Sequence, residues 1–365
     1  MRLDEVKQRL REFAAGQAAG VSPLYEHLAT KAAEDGEVAG LLTQASGGAP
    51  ELLLAAAHRL VQADPIHPLS RYYPSLGGFD GVDGATWPTF REFVLERADK
   101  VRALVAARHI ETNEVSRAAG LYPAVAMAAK QAKGKVALLE IGCSAGLLLG
   151  LDKFGYRYQC DGGEQLLAGP AKAAVGLHCA LDLGPGAVLP KLPKKVTAGA
   201  KVGLDRAPLD VSDEDELAWL EACVWADQLD RIRLLRAAAA AQRKGTPELV
   251  EGDAVDDLAA AAARTGDLPL VVLTSRTLAH LEQERRAAFV EGLAKLAAGR
   301  PLWWASDEPY EAALSHVLPG RPDLNFFDGT GQCTLGLVSW REGDPEAKAL
   351  AQTSRFGNRM TWLVA

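Results

Sequence analysis

The sequence predicts an α/β fold, and its strand-like runs are the main support. Short apolar runs occur at Val136–Ile141, Leu270–Leu273 and Leu302–Ala305, and such runs are typical of strands buried on both faces of a parallel sheet. A helical pattern over Glu282–Ala298 separates the last two runs. This order of strand, helix and strand predicts a parallel sheet.

The first third of the chain has a different pattern. From Leu3 to Phe13 the apolar residues recur at helical spacing, and Ser22 followed by Pro23 is a typical helix start. We therefore expect an all-helical region over residues 1–132 and an α/β domain over residues 133–365.

Two insertions and an unusual ending are expected in the α/β domain. Residues 154–200 are interpreted as an inserted hairpin and loop, and residues 212–246 as a second insertion. The strand-like segments Cys333–Trp340 and Arg359–Val364 have no clear helix between them. We expect these two segments to pair antiparallel.

The composition excludes several classes of protein. The net charge of −7 lacks the basic excess of a general nucleic-acid binder. We find neither a run of about 18 apolar residues that could span a membrane nor the apolar core of a signal peptide. The five cysteines contain no CxxC pair and the seven histidines no HxxxH pair, so no metal site is expected. A cytoplasmic location is the simplest expectation.

A glycine-containing segment follows the first strand. A glycine at this position lets the backbone approach a ligand closely, and the amides of the next helix, expected over Ala145–Asp152, favour an electronegative group. The pattern is acidic-x-Gly-x-x-x-Gly, and it differs from both GxGxxG and the P-loop. The segment is Glu140-Ile141-Gly142-Cys143-Ser144-Ala145-Gly146.

An acidic residue at the tip of a neighbouring strand could bind the hydroxyls of a ribose. Asp205 ends the strand-like Val202–Asp205 and has the better local context. Asp161 follows Tyr156–Cys160 and lies at the more usual distance of about 20 residues from the glycine segment. We favour Asp205 and keep Asp161 as the alternative.

A third strand end carries Glu251-Gly252-Asp253-Ala254. The segment resembles the one in methyltransferases whose carboxylate contacts the amino group of the adenine, which would give Asp253 that role; Asp253 could equally cap the following helix. The three segments occur in the order expected for a nucleotide-cofactor site.

Together these segments resemble those of class I S-adenosylmethionine (SAM) methyltransferases. The resemblance implies a Rossmann-like core with a mostly parallel seven-stranded sheet. It also implies SAM as cofactor, bound by Glu140, by Gly142 to Gly146, and by Asp205, Asp253 and Ala254. The sequence departs from the commonest form of the loop, because Ser144 and Ala145 replace a Gly-Thr or Gly-Ser pair.

More closely, the chain resembles an uncharacterised bacterial family, a domain of unknown function with such a core. The family lacks an assigned reaction, so the resemblance does not identify the methyl acceptor. We expect the acceptor to be a small molecule or a side chain. The matching segments are His67–Leu69, Tyr72–Pro74, Thr112–Val115, Glu140–Leu147, Gly203–Val211 and Val224-Trp225.

Catalytic residues are weakly signalled, because methyl transfer needs little beyond alignment and sometimes a base. Thr274–Thr277 follows a strand where many methyltransferases carry Asn-Pro-Pro-Tyr, and His280 is the one candidate base. Thr112–Glu114 could close over the cofactor or cap a helix. The alternative function is a non-catalytic regulatory protein that binds SAM or a nucleotide.

Overall fold

The computed structural model describes residues 1–45, 49–325 and 332–365, which form two compact units. The first comprises residues 1–112 and 210–233, and the second comprises residues 113–209 and 234–365. The helix that precedes the first strand falls in the second unit, with the sheet.

The first unit is helical, as its sequence pattern predicts. In the first helix, Val6, Leu10 and Phe13 form the buried stripe. Ser22 caps the second helix, where its Oγ accepts a hydrogen bond from the amide of Tyr25 at 3.1 Å. The helices are α1 Leu3–Phe13, α2 Pro23–Glu34, α3 Gly36–Gly40, α4 Pro50–Gln62, α5 Thr86–Glu96, α6 Ala98–Ala107 and α8 Glu214–Cys223, and α9 Leu229–Gln242 begins in this unit.

The second unit contains one mixed, mostly parallel sheet of eleven strands, in the order β3-β2-β4-β11-β10-β9-β8-β7-β1-β5-β6. From β8 to β6 all neighbours are parallel, whereas β9 and β10 run antiparallel to their neighbours. The strands are β1 Val136–Ile141, β2 Gly155–Cys160, β3 Gln165–Ala168, β4 Gly176–Leu183, β5 Ala198–Asp205, β6 Glu248–Glu251, β7 Leu270–Ser275, β8 Leu302–Glu308, β9 Cys333–Arg341, β10 Asp344–Thr353 and β11 Arg359–Trp362.

Two of our expectations about this sheet were wrong. The sheet has more than the seven strands expected, because the segment 154–200, interpreted as an inserted hairpin and loop, adds the antiparallel pair β2 and β3 together with β4. The segments β9 and β11 do not pair with each other, because β10 lies between them and pairs antiparallel with both. The first half of β10 is mostly exposed and polar, so it lacks the apolar run by which a buried strand is recognised.

Helices cover the sheet. Helix α7, Arg117–Ala132, packs on β4, β7, β8 and β9. Helices α10, Leu258–Ala263, and α11, Gln283–Ala297, belong to a separate apolar cluster, in which Phe289 meets Trp304 edge to face at 5.7 Å. Within the described ranges, no helix is both long and apolar enough to cross a membrane.

Candidate functional site

The glycine loop, residues 142–146, connects β1 to a 3₁₀-helix, Leu147–Lys153. Three of its residues have left-handed backbone: Gly142 (φ 68°), Ser144 (φ 48°) and Gly146 (φ 65°). The helix expected over Ala145–Asp152 therefore begins two residues later, at Leu147, and is a 3₁₀-helix, because a left-handed Gly146 cannot lie within a right-handed helix.

Gly142 is needed because a side chain from a neighbouring strand end lies against it. A Cβ at this position would lie 2.3 Å from Oγ1 of Thr277. That hydroxyl also donates a hydrogen bond to the carbonyl of Ile141 at 3.0 Å. A Cβ on Gly146 would similarly lie 2.8 Å from Leu249. Both glycines thus make room for protein side chains.

The structure brings Asp205, and not Asp161, to the glycine loop. Asp205 ends β5, which lies beside β1, and its Oδ2 accepts a hydrogen bond from the amide of Ser144 at 2.8 Å. Its Oδ1 accepts from the amide of Ala207 at 3.0 Å. Asp161 follows β2, which is separated from β1 by six strands. Strand adjacency thus distinguishes two candidates that sequence spacing left open.

Asp253 and Ala254 follow β6, beside β5. The carboxylate of Asp253 forms ion pairs with Arg206 at 2.8 Å and with Arg285. Partial burial raises the pKa of Asp253, but the Arg206 hydrogen bond, the amides of Val255 and Asp256 and the charge of Arg285 outweigh it and hold the pKa well below its usual range. The carboxylate is therefore already neutralised by protein groups.

Unsatisfied acceptors lie beside the loop. Glu140 is 4% exposed, and its Oε2 has no hydrogen-bond partner among the described residues. Burial, followed by the charge of Asp205, raises the pKa of Glu140 well above its usual value. Asn113 donates from Nδ2 to the carbonyl of Cys143 at 2.9 Å, while its buried Oδ1 lacks a partner in the described part of the chain. The segment Thr112–Glu114 therefore contacts the loop through Asn113.

Asp307 and Glu308, which end β8, were not predicted as site residues. Glu308 is fully buried, and its Oε1 accepts hydrogen bonds from the amides of Thr277 at 2.8 Å and Leu278 at 3.1 Å. Burial raises its pKa to about 7 against the opposing effect of these amides. The available signal was an acidic pair one residue beyond the apolar run Leu302–Ala305, after Ser306.

His280 lies in a short 3₁₀ turn, Leu278–His280, and its side chain is exposed. Its backbone amide donates to the carbonyl of Thr277 at 3.1 Å. His280 therefore lies one turn beyond the strand end, as its position in the sequence predicts. No group of three or more potential metal ligands occurs in the described ranges.

Comparison with known proteins identifies a family without supplying an activity. No curated protein matches the chain. A family profile described as "Uncharacterized protein conserved in bacteria (DUF2332)" matches residues 7–362. This match covers nearly the whole chain, and the protein therefore belongs to the bacterial family DUF2332.

Proposed function

We propose that the protein is a SAM-dependent methyltransferase that acts on a small molecule or a side chain. The observation that carries this proposal is the hydrogen bond between Asp205 and the amide of Ser144. It joins an acidic residue at the tip of β5 to the glycine loop after β1, and ligands of open α/β sheets bind at such strand ends.

The residues at this edge fit most of the cofactor. The unsatisfied oxygens Glu140 Oε2 and Asn113 Oδ1 can accept hydrogen bonds from the ammonium of SAM. Each carboxylate oxygen of Asp205 accepts one hydrogen bond from a backbone amide. A carboxylate oxygen can accept more than one, so both remain able to accept hydrogen bonds from ribose hydroxyls. Asp253 fits less well, since Arg206 and Arg285 already engage it. We therefore assign recognition of the adenine to the backbone at Ala254.

The cofactor would supply a methyl group on a positively charged sulfur. The protein would contribute binding and alignment, which can account for a large part of such a rate enhancement. Glu140 and Asn113 would orient the amino acid end of SAM, and Asp205 would orient the ribose. The exposed His280 remains the candidate base.

One observation favours the alternative of a non-catalytic protein. The Cβ positions of Gly142 and Gly146 are taken by Thr277 and Leu249. Both glycines are therefore required by packing alone, and the loop would be retained in a protein that has lost catalysis.

The first test is isothermal titration of the protein with SAM and with S-adenosylhomocysteine. We expect saturable binding of both, and a loss of tenfold or more in Asp205→Ala, because the charged acceptor of the ribose hydroxyls is removed. Asp161→Ala is the matched control, because Asp161 is an exposed acidic residue at a remote strand end. This variant should bind like the wild type.

Two results would count against the proposal. Absence of binding at millimolar SAM would exclude the methyltransferase function. Equal losses in Asp205→Ala and Asp161→Ala would exclude Asp205 as the ribose ligand. Binding of both compounds without methylation of any acceptor in a broad screen would favour the regulatory alternative.

A further inference from the structure

A cluster of buried charged residues lies at the carboxyl ends of β7 and β8. Ser275 pairs with Asp307 in the register of β7 and β8. Glu140 pairs with Leu273, two residues before Ser275, so Glu140, Ser275 and Asp307 lie on the same face of the sheet. Asp307 is 1% exposed and accepts hydrogen bonds from Thr353 and, at 3.4 Å, from Ser275. Hydroxyl groups thus hold this carboxylate in place.

Two arginines lie near Asp307: its charge acts on Arg117, and its backbone carbonyl accepts a hydrogen bond from the amide of Arg276 at 3.1 Å. Arg117, the first residue of α7, is 6% exposed, and its Nε donates to the carbonyl of Arg355 at 3.3 Å. Arg276 follows β7, is half-buried, and donates from Nη2 to the carbonyl of Ser354 at 3.4 Å. Both guanidinium groups therefore lie against the turn between β10 and β11, where the side chain of Arg355 is exposed.

Arg117 and Arg276 lie close enough for their positive charges to repel each other. Burial, followed by the charge of Arg276, lowers the pKa of Arg117 to about 10, and the carboxylates of Asp307 and Glu114 do not offset this effect. An anion that met both arginines would relieve their repulsion.

The backbone of Arg276 is an independent sign of function. Its φ of 58° is left-handed, a conformation that costs a residue with a side chain about 1–2 kcal/mol. In the described ranges only three other non-glycine residues have positive φ, and one of them is Ser144 of the glycine loop. Two strained residues therefore follow neighbouring strands, β1 and β7, and such strain concentrates at functional sites.

We infer that Arg117 and Arg276 form a binding site for a small molecule that carries a carboxylate or phosphate group, and that this molecule is the methyl acceptor. Planar guanidinium groups bind such oxyanions with paired hydrogen bonds. Arg276 is half-buried, so part of its surface is accessible to solvent. The site lies on the edge of the sheet that carries the glycine loop. Its role as the acceptor site rests on the proposed function, whereas anion binding does not.

The test measures binding of succinate and of inorganic phosphate by isothermal titration without SAM, at constant ionic strength set with chloride. We expect saturable binding of at least one probe and a loss of tenfold or more in Arg276→Gly. Glycine is chosen because it accepts the left-handed backbone without strain, so the variant should be at least as heat-stable as the wild type. Arg276→Lys should lose affinity to a smaller extent, because it keeps the charge without the planar fork.

Arg264→Gln is the control, since Arg264 lies before β7 at the opposite edge of the sheet and pairs with Glu248. This variant should bind the probes like the wild type. Lower heat stability of Arg276→Gly with unchanged probe binding would overturn the inference, because Arg276 would then serve only to stabilise the turn through its hydrogen bond to Ser354. Failure of the wild type to bind either probe would overturn it as well. If the protein bound SAM but no anion, the anion site would be refuted and the methyltransferase proposal would stand. If it bound an anion but not SAM, the methyltransferase proposal would be refuted and the anion site would stand.

Discussion

Gly142→Ala is expected to lower the free energy of unfolding by about 2–5 kcal/mol. Left-handed backbone costs a residue with a Cβ about 1–2 kcal/mol, and forcing an atom into occupied space costs about 1–3 kcal/mol more. Here the new Cβ would meet Oγ1 of Thr277 at 2.3 Å and its Cγ2 at 2.4 Å. Urea denaturation followed by circular dichroism measures the change.

A second glycine separates the two effects. Gly162 also has left-handed backbone, at φ 84°, but a Cβ there would meet nothing within 4 Å. Gly162→Ala should therefore lower the free energy of unfolding only by the cost of left-handed backbone, about 1–2 kcal/mol. Equal losses at the two positions would mean that Thr277 moves aside without cost.

A double-mutant cycle identifies the contact responsible. With Thr277→Gly in the background, Gly142→Ala should be about 1–3 kcal/mol less costly, because the obstructing side chain is gone. Strict additivity would show that Gly142 is required for its backbone conformation alone.

Much of the central sheet could be predicted because its strands are buried on both faces. The runs that became β1, β7 and β8 are fully buried apart from Ser275 at the end of β7, and burial is what enriches a strand in apolar residues. By contrast, β2 alternates buried and exposed positions, and β10 is mostly exposed in its first half. Whether such a segment forms a strand depends on hydrogen bonds to the adjacent strands of the sheet, and the local sequence does not show which strands those are.

The positions of some candidate residues could be predicted for a related reason. That Asp205 ends a strand could be predicted from local sequence, because the strand-like Val202–Leu204 precedes it and a turn follows it. Glu308 was missed because its role depends on the amides of residues 277 and 278, about thirty positions away in the chain. The pairing of β7 with β8 brings them together, and no local pattern reports that register.

Glu308→Gln is expected to make stability less dependent on pH. Burial raises the pKa of Glu308 from 4.5 to about 7 in the folded protein, so the folded state holds this proton more tightly than the unfolded chain. Its contribution to stability is therefore fully present below about pH 4.5 and is lost as the pH rises to about 7. The total is about 3 kcal/mol, since one pKa unit corresponds to 1.36 kcal/mol.

Glutamine cannot ionise, and its carbonyl can still accept hydrogen bonds from the amides of Thr277 and Leu278. The free energy of unfolding of Glu308→Gln, relative to wild type, should thus rise by about 3 kcal/mol between pH 4.5 and pH 8. Urea denaturation across this range measures it, with the exposed Glu284→Gln as control. The buried Glu140 has the same sign of dependence but is present in both proteins, so it cancels in the difference. Parallel profiles for Glu308→Gln and wild type would mean that Glu308 ionises as easily in the fold as in water, which its complete burial argues against.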